Sequence, residues 1–152
     1  MDYEILTKEL FIRLEKFHKM KPTVEFANFS QGEILVLNYL YENASSEELP
    51  SHISNCLCLS TARVAATLNS LEKKGYISRI MSSTDRRKII VEITASGKEF
   101  ISHKREKMKN VFRSMLTLLG EDDSKEFIRL LGRLETIVSE IMAATDFFDD
   151  YK

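Results

Sequence analysis

Apolar residues recur at helical spacing along most of this chain and switch to every second position in one short stretch. Tyr3, Leu6, Leu10, Leu14 and Phe17 form a stripe with a period near 3.6, which predicts a first helix. That helix should stop before Lys21-Pro22, because proline disfavours helical backbone in the residue ahead of it, and Thr23 to Phe29 then reads as a loop. Ser30 with Glu33 three residues on has the form of a capping box. It predicts a second helix through Tyr41, with Ile34, Leu35, Leu37, Leu40 and Tyr41 on the apolar face. A short third helix is expected from near Leu49 to about Cys56 or Leu57, with Pro50 in its first turn, where a missing N–H does no harm. Ser60 is placed to cap a fourth helix, Thr61 to Lys74, which Gly75 ends.

In that fourth helix Val64, Leu68 and Leu71 fall at i, i+4 and i+7 and must face the core. Thr61, Ala62, Ala65, Ala66 and Asn69 are left on the other side. Solvated helix faces are ordinarily rich in Lys and Glu; a face of small residues lets another surface approach closely, as a groove would. After Gly75 the period falls to two. Ile77 to Ser82 and Ile89 to Ile93 read as two strands bracketing a polar loop, Ser82-Ser83-Thr84-Asp85-Arg86-Arg87-Lys88. Thr94 can cap a long helix to about Leu119, stopped by Gly120. Glu121 to Ser124 suit the start of a final helix running to about Thr145, with Phe127, Leu130, Leu131, Leu134, Ile137, Val138 and Ile141 at near-heptad spacing. Asp146 to Lys152 are expected to fray or dock weakly. The fold class is mainly α with a small β-hairpin.

Charge sharpens this picture. The 152 residues carry a net charge of -1, which by itself argues against a nucleic-acid partner. Between Ser60 and Ile90, however, seven bases (Arg63, Lys73, Lys74, Arg79, Arg86, Arg87, Lys88) meet two acids (Glu72, Asp85), a local +5 that leaves -6 for the remainder. Positive charge gathered on one segment of an acidic body orients a protein on a phosphate backbone. The first ten residues mix Asp2, Glu4, Lys8 and Glu9 with apolar positions, unlike a signal peptide, and no run approaches the roughly 18 to 20 apolar residues of a membrane span. A cytoplasmic protein without membrane association is the expectation.

Three helices with a sharp turn before the third, followed by a hairpin with a basic tip, is the order of a winged helix-turn-helix. At that segment the chain resembles a known family. Leu59-Ser60-Thr61, then Val64, Leu68, Leu71-Glu72-Lys73-Lys74-Gly75-Tyr76-Ile77, Arg79, Asp85-Arg86-Arg87, Ile93-Thr94 and Gly97 are similar to the pattern of the MarR family of transcriptional regulators over roughly residues 47 to 98. The resemblance implies a DNA-binding regulator, a repressor by expectation, in which the fourth helix enters the major groove and the wing enters the minor groove. Carried to this chain, Ser60, Thr61, Arg63, Ala66 and Asn69 would meet DNA along the recognition helix, and Arg86 and Arg87 at the wing tip. Asp85 is read as the acid that orients a wing arginine. Two alanines, Ala65 and Ala66, stand where the family often has polar or basic residues, so readout through methyl contacts and DNA shape is expected to outweigh direct hydrogen bonding. The same resemblance implies a homodimer, with residues 1–29 and 98–152 as dimerisation segments flanking a DNA-binding lobe at 30–97. The implied target is a pseudo-palindrome of double-stranded DNA.

Other readings bear on the same residues. His52, Cys56 and Cys58 suggest a thiol- or metal-responsive regulator, against the plainer expectation that the cysteines serve the small apolar core of the turn. His18 and His103, with Phe17, Phe26, Tyr39 and Tyr41, are candidates to line a pocket for a small-molecule effector. A protein-binding winged-helix module would keep the fold, but Thr61, Arg63 and the two wing arginines count against it. No G-x-G-x-x-G, Walker, H-E-x-x-H or G-x-S-x-G pattern occurs, so neither an enzyme nor a cofactor or metal site is expected.

Overall fold

The computed structural model describes residues 2–82 and 85–144, the last three by backbone alone. Seven helices and two strands follow in order among the described residues: α1 (Tyr3–His18), α2 (Lys21–Phe29), α3 (Gly32–Glu42), α4 (Pro50–Cys56), α5 (Thr61–Lys73), β1 (Ile77–Met81), β2 (Ile89–Ile93), α6 (Ala95–Leu119) and α7 (Glu121–Ala144). The chain divides into two compact units, one up to Lys109 and one from Asn110 onward.

In the first unit, α1 opens on Asp2, whose carboxylate accepts from the Glu4 N–H at 3.0 Å, and carries the i,i+4 pairs Glu4–Lys8, Glu9–Arg13 and Glu15–Lys19 on its surface. It buries no residue. The segment expected as a loop, Thr23 to Phe29, is instead the body of α2. Pro22 does break α1, yet it lies in the first turn of the next helix behind an extended Met20, where its fixed φ favours helix. This also undoes the expected capping box. Ser30 closes α2, its N–H donating to the Phe26 carbonyl at 2.9 Å; Gln31 precedes α3 with no side-chain cap; and Glu33 pairs with Lys74 at 2.6 Å across to the end of α5.

The core joins Val36, Leu37 and Leu40 of α3, Ile53 of α4, Val64, Leu68 and Leu71 of α5, Ile77 and Val91 of the hairpin, and Ile101 of α6. The expected inward face of α5 is the observed one. On α3 the packing centres on Val36, which the sequence pattern passed over, while Ile34, Tyr39 and Tyr41 pack at its margin. The strands pair antiparallel, with Ile77 opposite Ile93, Arg79 opposite Val91 and Met81 opposite Ile89. The Val91 N–H also donates to the Glu48 carbonyl at 2.8 Å, tying the hairpin to the stretch before α4.

Where α5 meets the hairpin, the Tyr76 N–H reaches the Leu71 carbonyl at 3.0 Å and the Gly75 N–H reaches that of Glu72 at 2.9 Å, a paired C-terminal cap that requires left-handed backbone at Gly75 (φ +74). Thr94 closes the far side. Its hydroxyl donates to the Gly75 carbonyl at 2.7 Å and accepts from the Gly97 N–H at 3.1 Å, and its own N–H donates to the Tyr76 carbonyl at 3.0 Å. Gly97 lies so close that a Cβ there would sit 2.1 Å from the Tyr76 carbonyl oxygen.

In the second unit α6 ends at Gly120 (φ +86), and the Ser124 hydroxyl donates to the Leu116 carbonyl at 2.9 Å as α7 begins. The near-heptad residues of α7, from Phe127 to Ile141, are exposed, from 37% at Ile141 to 56% at Leu134. Thr145 and the segment 146–152, for which fraying was expected, lie outside the described residues. No described helix is long and apolar enough to cross a membrane.

The approach at Gly97 gives a direct test. Gly97→Ala should destabilise the fold by about 2 to 3 kcal/mol, because backbone and not a flexible side chain must give way. A urea melt with an unchanged midpoint would contradict this packing.

Candidate nucleic-acid interface

The turn into α5 is built from local hydrogen bonds. The Ser54 hydroxyl donates to the Leu59 carbonyl at 2.6 Å, the Leu59 N–H returns to the Ser54 carbonyl at 3.0 Å, and Cys58 adopts the left-handed conformation between them (φ +51). Ser60 then caps α5, its hydroxyl accepting from the Arg63 N–H at 3.2 Å. With Val64, Leu68 and Leu71 turned inward, the outer face presents Thr61, Ala62, Arg63, Ala65, Ala66 and Asn69, all exposed. The sequence-predicted recognition residues therefore share one accessible face.

At the hairpin tip, the Ser82 N–H donates to the Lys88 carbonyl at 3.0 Å and the Lys88 N–H to the Asp85 carbonyl at 2.9 Å. Positions 83 and 84 lie outside the described residues. Asp85 Oδ1 accepts from both the backbone N–H of Arg87 (3.1 Å) and its Nε (3.2 Å). The Arg87 side chain, followed by its backbone N–H, holds the Asp85 carboxyl below its ordinary value. The arginine nevertheless stays 91% exposed, so the acid orients it without burying it. Arg86 and Lys88 are exposed beside it.

One contact was missed by sequence reasoning. Arg79, on β1, donates from Nη2 to Asn69 Oδ1 on α5 at 2.8 Å and holds Nη1 3.4 Å from Glu72 Oε2. The signal was available: Arg79 falls in the same strand alternation as buried Ile77, a place where an arginine needs partners.

The cysteines do not serve the core. Cys56 and Cys58 are both exposed free thiols, because α4 spends its inward positions on Ile53 and Ser54 and the left-handed turn directs Cys58 outward. His52 pairs with Glu48 (Nδ1 to Oε2, 2.9 Å), and Glu48, buried, also accepts from the Tyr39 hydroxyl at 3.0 Å. Burial, together with hydrogen bonding to Cys56 and Glu48, pushes the Tyr39 phenol well up. Among the described residues no group of three or more His, Cys, Asp or Glu is arranged to hold a metal ion. None of the aromatics proposed for an effector pocket lines the cavity beside α2. Phe17 and Phe26 are exposed, and that cavity, of about 170 Å³, is lined instead by residues of α2, α3 and α6, among them Phe29, Ile34, Lys104 and Lys107.

Comparison with known proteins fits this geometry. Residues 18–104 match the family model described as transcriptional regulator SarA/Rot. The chain is 26% identical over 114 residues to the HTH-type transcriptional regulator YdgJ of Bacillus subtilis, covering 75% of this chain and 67% of that one. It is 22% identical over 131 residues to the HTH-type transcriptional repressor YetL of the same organism, covering 83% and 78%. Its fold is similar to that of FabT of Streptococcus pneumoniae, solved in complex with DNA, with a TM-score of 0.66, 20% identity and coverage of 91% of this chain and 99% of that one.

The Asp85–Arg87 contact predicts a pH effect. Because the folded carboxyl titrates below the ordinary 3.8, the contact favours the ordered tip above that pH and is lost as pH falls through the lowered value. Carboxyl ¹³C shifts should place the Asp85 midpoint below 3.8 in the native chain and return it towards 3.8 in Arg87→Ala. A native midpoint at or above that value would contradict the contact.

Proposed function

The chain belongs to the SarA/Rot family of transcriptional regulators, and from that premise we propose that it binds duplex DNA as a homodimer and represses transcription by occupying a pseudo-palindromic operator. The observation that carries this reading is the small, exposed face of α5 lying in one lobe with the arginines of the hairpin tip. A helix clad in Thr61, Ala62, Ala65 and Ala66 fits the roughly 12 Å major groove closely, and methyl groups suit thymine. Arg86 and Arg87 suit the minor groove, where negative potential is concentrated and a weakly hydrated guanidinium is favoured. Ser60, Thr61, Arg63 and Asn69 complete the surface. Its chemistry is that of binding and not catalysis, and its place is the cytoplasm.

The second copy is supported by exposed apolar side chains. Leu10, Phe11 and Leu14 of α1 are more than half exposed, as are Ile128 and Leu134 of α7. Faces of this kind mark association surfaces. Residues 1–29 and 98–152 are accordingly assigned to dimerisation and 30–97 to DNA. Two-fold symmetry then sets half-sites about 10 base pairs apart, or a multiple of that. The repressor reading draws on YetL, and the DNA reading on FabT, whose DNA complex shares this fold. The cavity beside Phe29 and Ile34 is the place for a small-molecule effector.

Selection of bound sequences from random duplex DNA tests this directly. The expected product is a pseudo-palindrome with that spacing, and recovery of no enriched sequence would overturn the reading. On the selected duplex, Arg86→Ala and Arg87→Ala should each weaken binding about tenfold, or about 1.4 kcal/mol, with the melting temperature unchanged. Unaltered affinity in both variants would remove the wing from the interface.

A further inference from the structure

We propose that Arg79 is a positioning residue that locks the angle between the recognition helix and the wing, and that Asn69 serves it as acceptor more than it reads bases. The proposal rests on the DNA-binding reading above and adds to it a part of the machinery with no required contact to DNA.

Asn69 and Glu72 stand at i and i+3 on α5, one turn apart and so on the same face. The guanidinium of Arg79 reaches both at once, at 2.8 Å and 3.4 Å, a task suited to a planar fork of donors and poorly suited to a lysine. The Arg79 side chain is only 28% exposed, and its Nε is buried without a hydrogen-bond partner. A phosphate clamp would present its donors outward; this arginine turns them to the helix. The tie crosses from the hairpin to the outer face of α5, beyond the backbone cap at Gly75. Towards the tip, Ile80, Met81 and Ile89 are exposed while Ile90 and Ser82 are buried, so fewer large side chains anchor the strands there than around Ile77 and Val91.

Leverage makes the tie matter. Ser82 lies three residues beyond Arg79, or about 10 Å at roughly 3.3 Å per residue. A hinge play of roughly 10° at Arg79 would shift that point by about 2 Å, enough to break a hydrogen bond whose working range is a few tenths of an ångström. The wing arginines and α5 would then no longer meet one duplex in a fixed register.

The same contact limits what Asn69 can read. Bidentate recognition of adenine needs the asparagine oxygen to accept while its nitrogen donates. Here one of that oxygen's two lone pairs already accepts from Arg79, which turns the amide towards the wing and fixes its orientation. Asn69 should therefore support affinity through the wing and leave base preference nearly unchanged.

The test combines a mutant cycle with backbone dynamics on the full chain. The DNA probe is the duplex selected from random sequence by the native protein. Arg79→Met and Asn69→Ala should each weaken binding about tenfold, and the double variant should be no weaker than Arg79→Met alone. Arg87→Ala should likewise cost little more once Arg79 is Met. In the absence of DNA, ¹⁵N relaxation should show the amides of Ile80, Met81, Lys88 and Ile89 becoming more mobile in Arg79→Met while those of α5 stay as in the native chain. Sequences selected by Asn69→Ala should match the native ones. Additive losses, an unchanged relaxation profile, or loss of an adenine preference in Asn69→Ala would each overturn the proposal. Should Arg79→Met fail to fold, Asn69→Ala/Glu72→Ala removes both acceptors from an exposed helix face and must loosen the wing in the same way. The relaxation measurement needs no DNA, so failure of the tie and failure of DNA binding are told apart.

Discussion

At Gly75 the chain leaves α5 with φ +74 and enters β1 two residues later, and the carbonyl of Tyr76 is held there between the Thr94 N–H and the missing side chain of Gly97. Three elements converge on that point. α5 ends in a cap that satisfies its last carbonyls, the hairpin begins with Ile77 in the core, and α6 starts with Thr94 bonding to both. Because the joint is made of backbone, it depends on two glycines and a threonine and little on side-chain size elsewhere. It fixes which face of α5 turns outward and where the hairpin starts. Arg79 then extends the same control one step further along the wing.

Electrostatics divides labour in a similar way. The chain as a whole is close to neutral, and its net positive charge is gathered on the segment that also carries the small-residue helix face, where acids are few. Within that segment the charges are not equivalent. Lys74 is committed to Glu33 and Arg79 to Asn69 and Glu72, so both spend their donors on the fold. Arg87 is oriented by Asp85 but remains exposed, and Arg63 and Arg86 are exposed as well. A count of bases thus overstates the charge available to phosphates.

Much of this was legible in the sequence, for identifiable reasons. α5 and the hairpin were readable because period and punctuation agree there: Val64, Leu68 and Leu71 mark one face, Ser60 and Gly75 mark the ends, and the period changes abruptly after Gly75. The α2 segment was misread because proline stops one helix and starts another with equal ease, and Ser30 followed by Glu33 mimics a cap that the preceding helix pre-empts. Cys56 and Cys58 were expected inside because cysteine is usually buried, yet Ile53 and Ser54 take the inward positions of α4, leaving Cys56 outside, and a left-handed turn carries Cys58. The Arg79 tie lies across ten residues of sequence and two element types, and only its place in the alternation of β1 hinted at it. Contacts of that kind depend on how elements pack, which periodicity does not encode.

If the lobe built on α5 and the wing binds duplex DNA as proposed, its exposed bases meet the phosphate backbone. Each neutralised phosphate releases counterions, so log affinity should fall linearly with log salt at a slope of about -0.9 per contact on duplex DNA. For two copies each presenting Arg63, Arg86, Arg87 and Lys88, the measured slope for the native protein is expected to be steeper than about -4. A slope near zero, with affinity indifferent to salt, would contradict the claim and leave this surface to a partner of another kind.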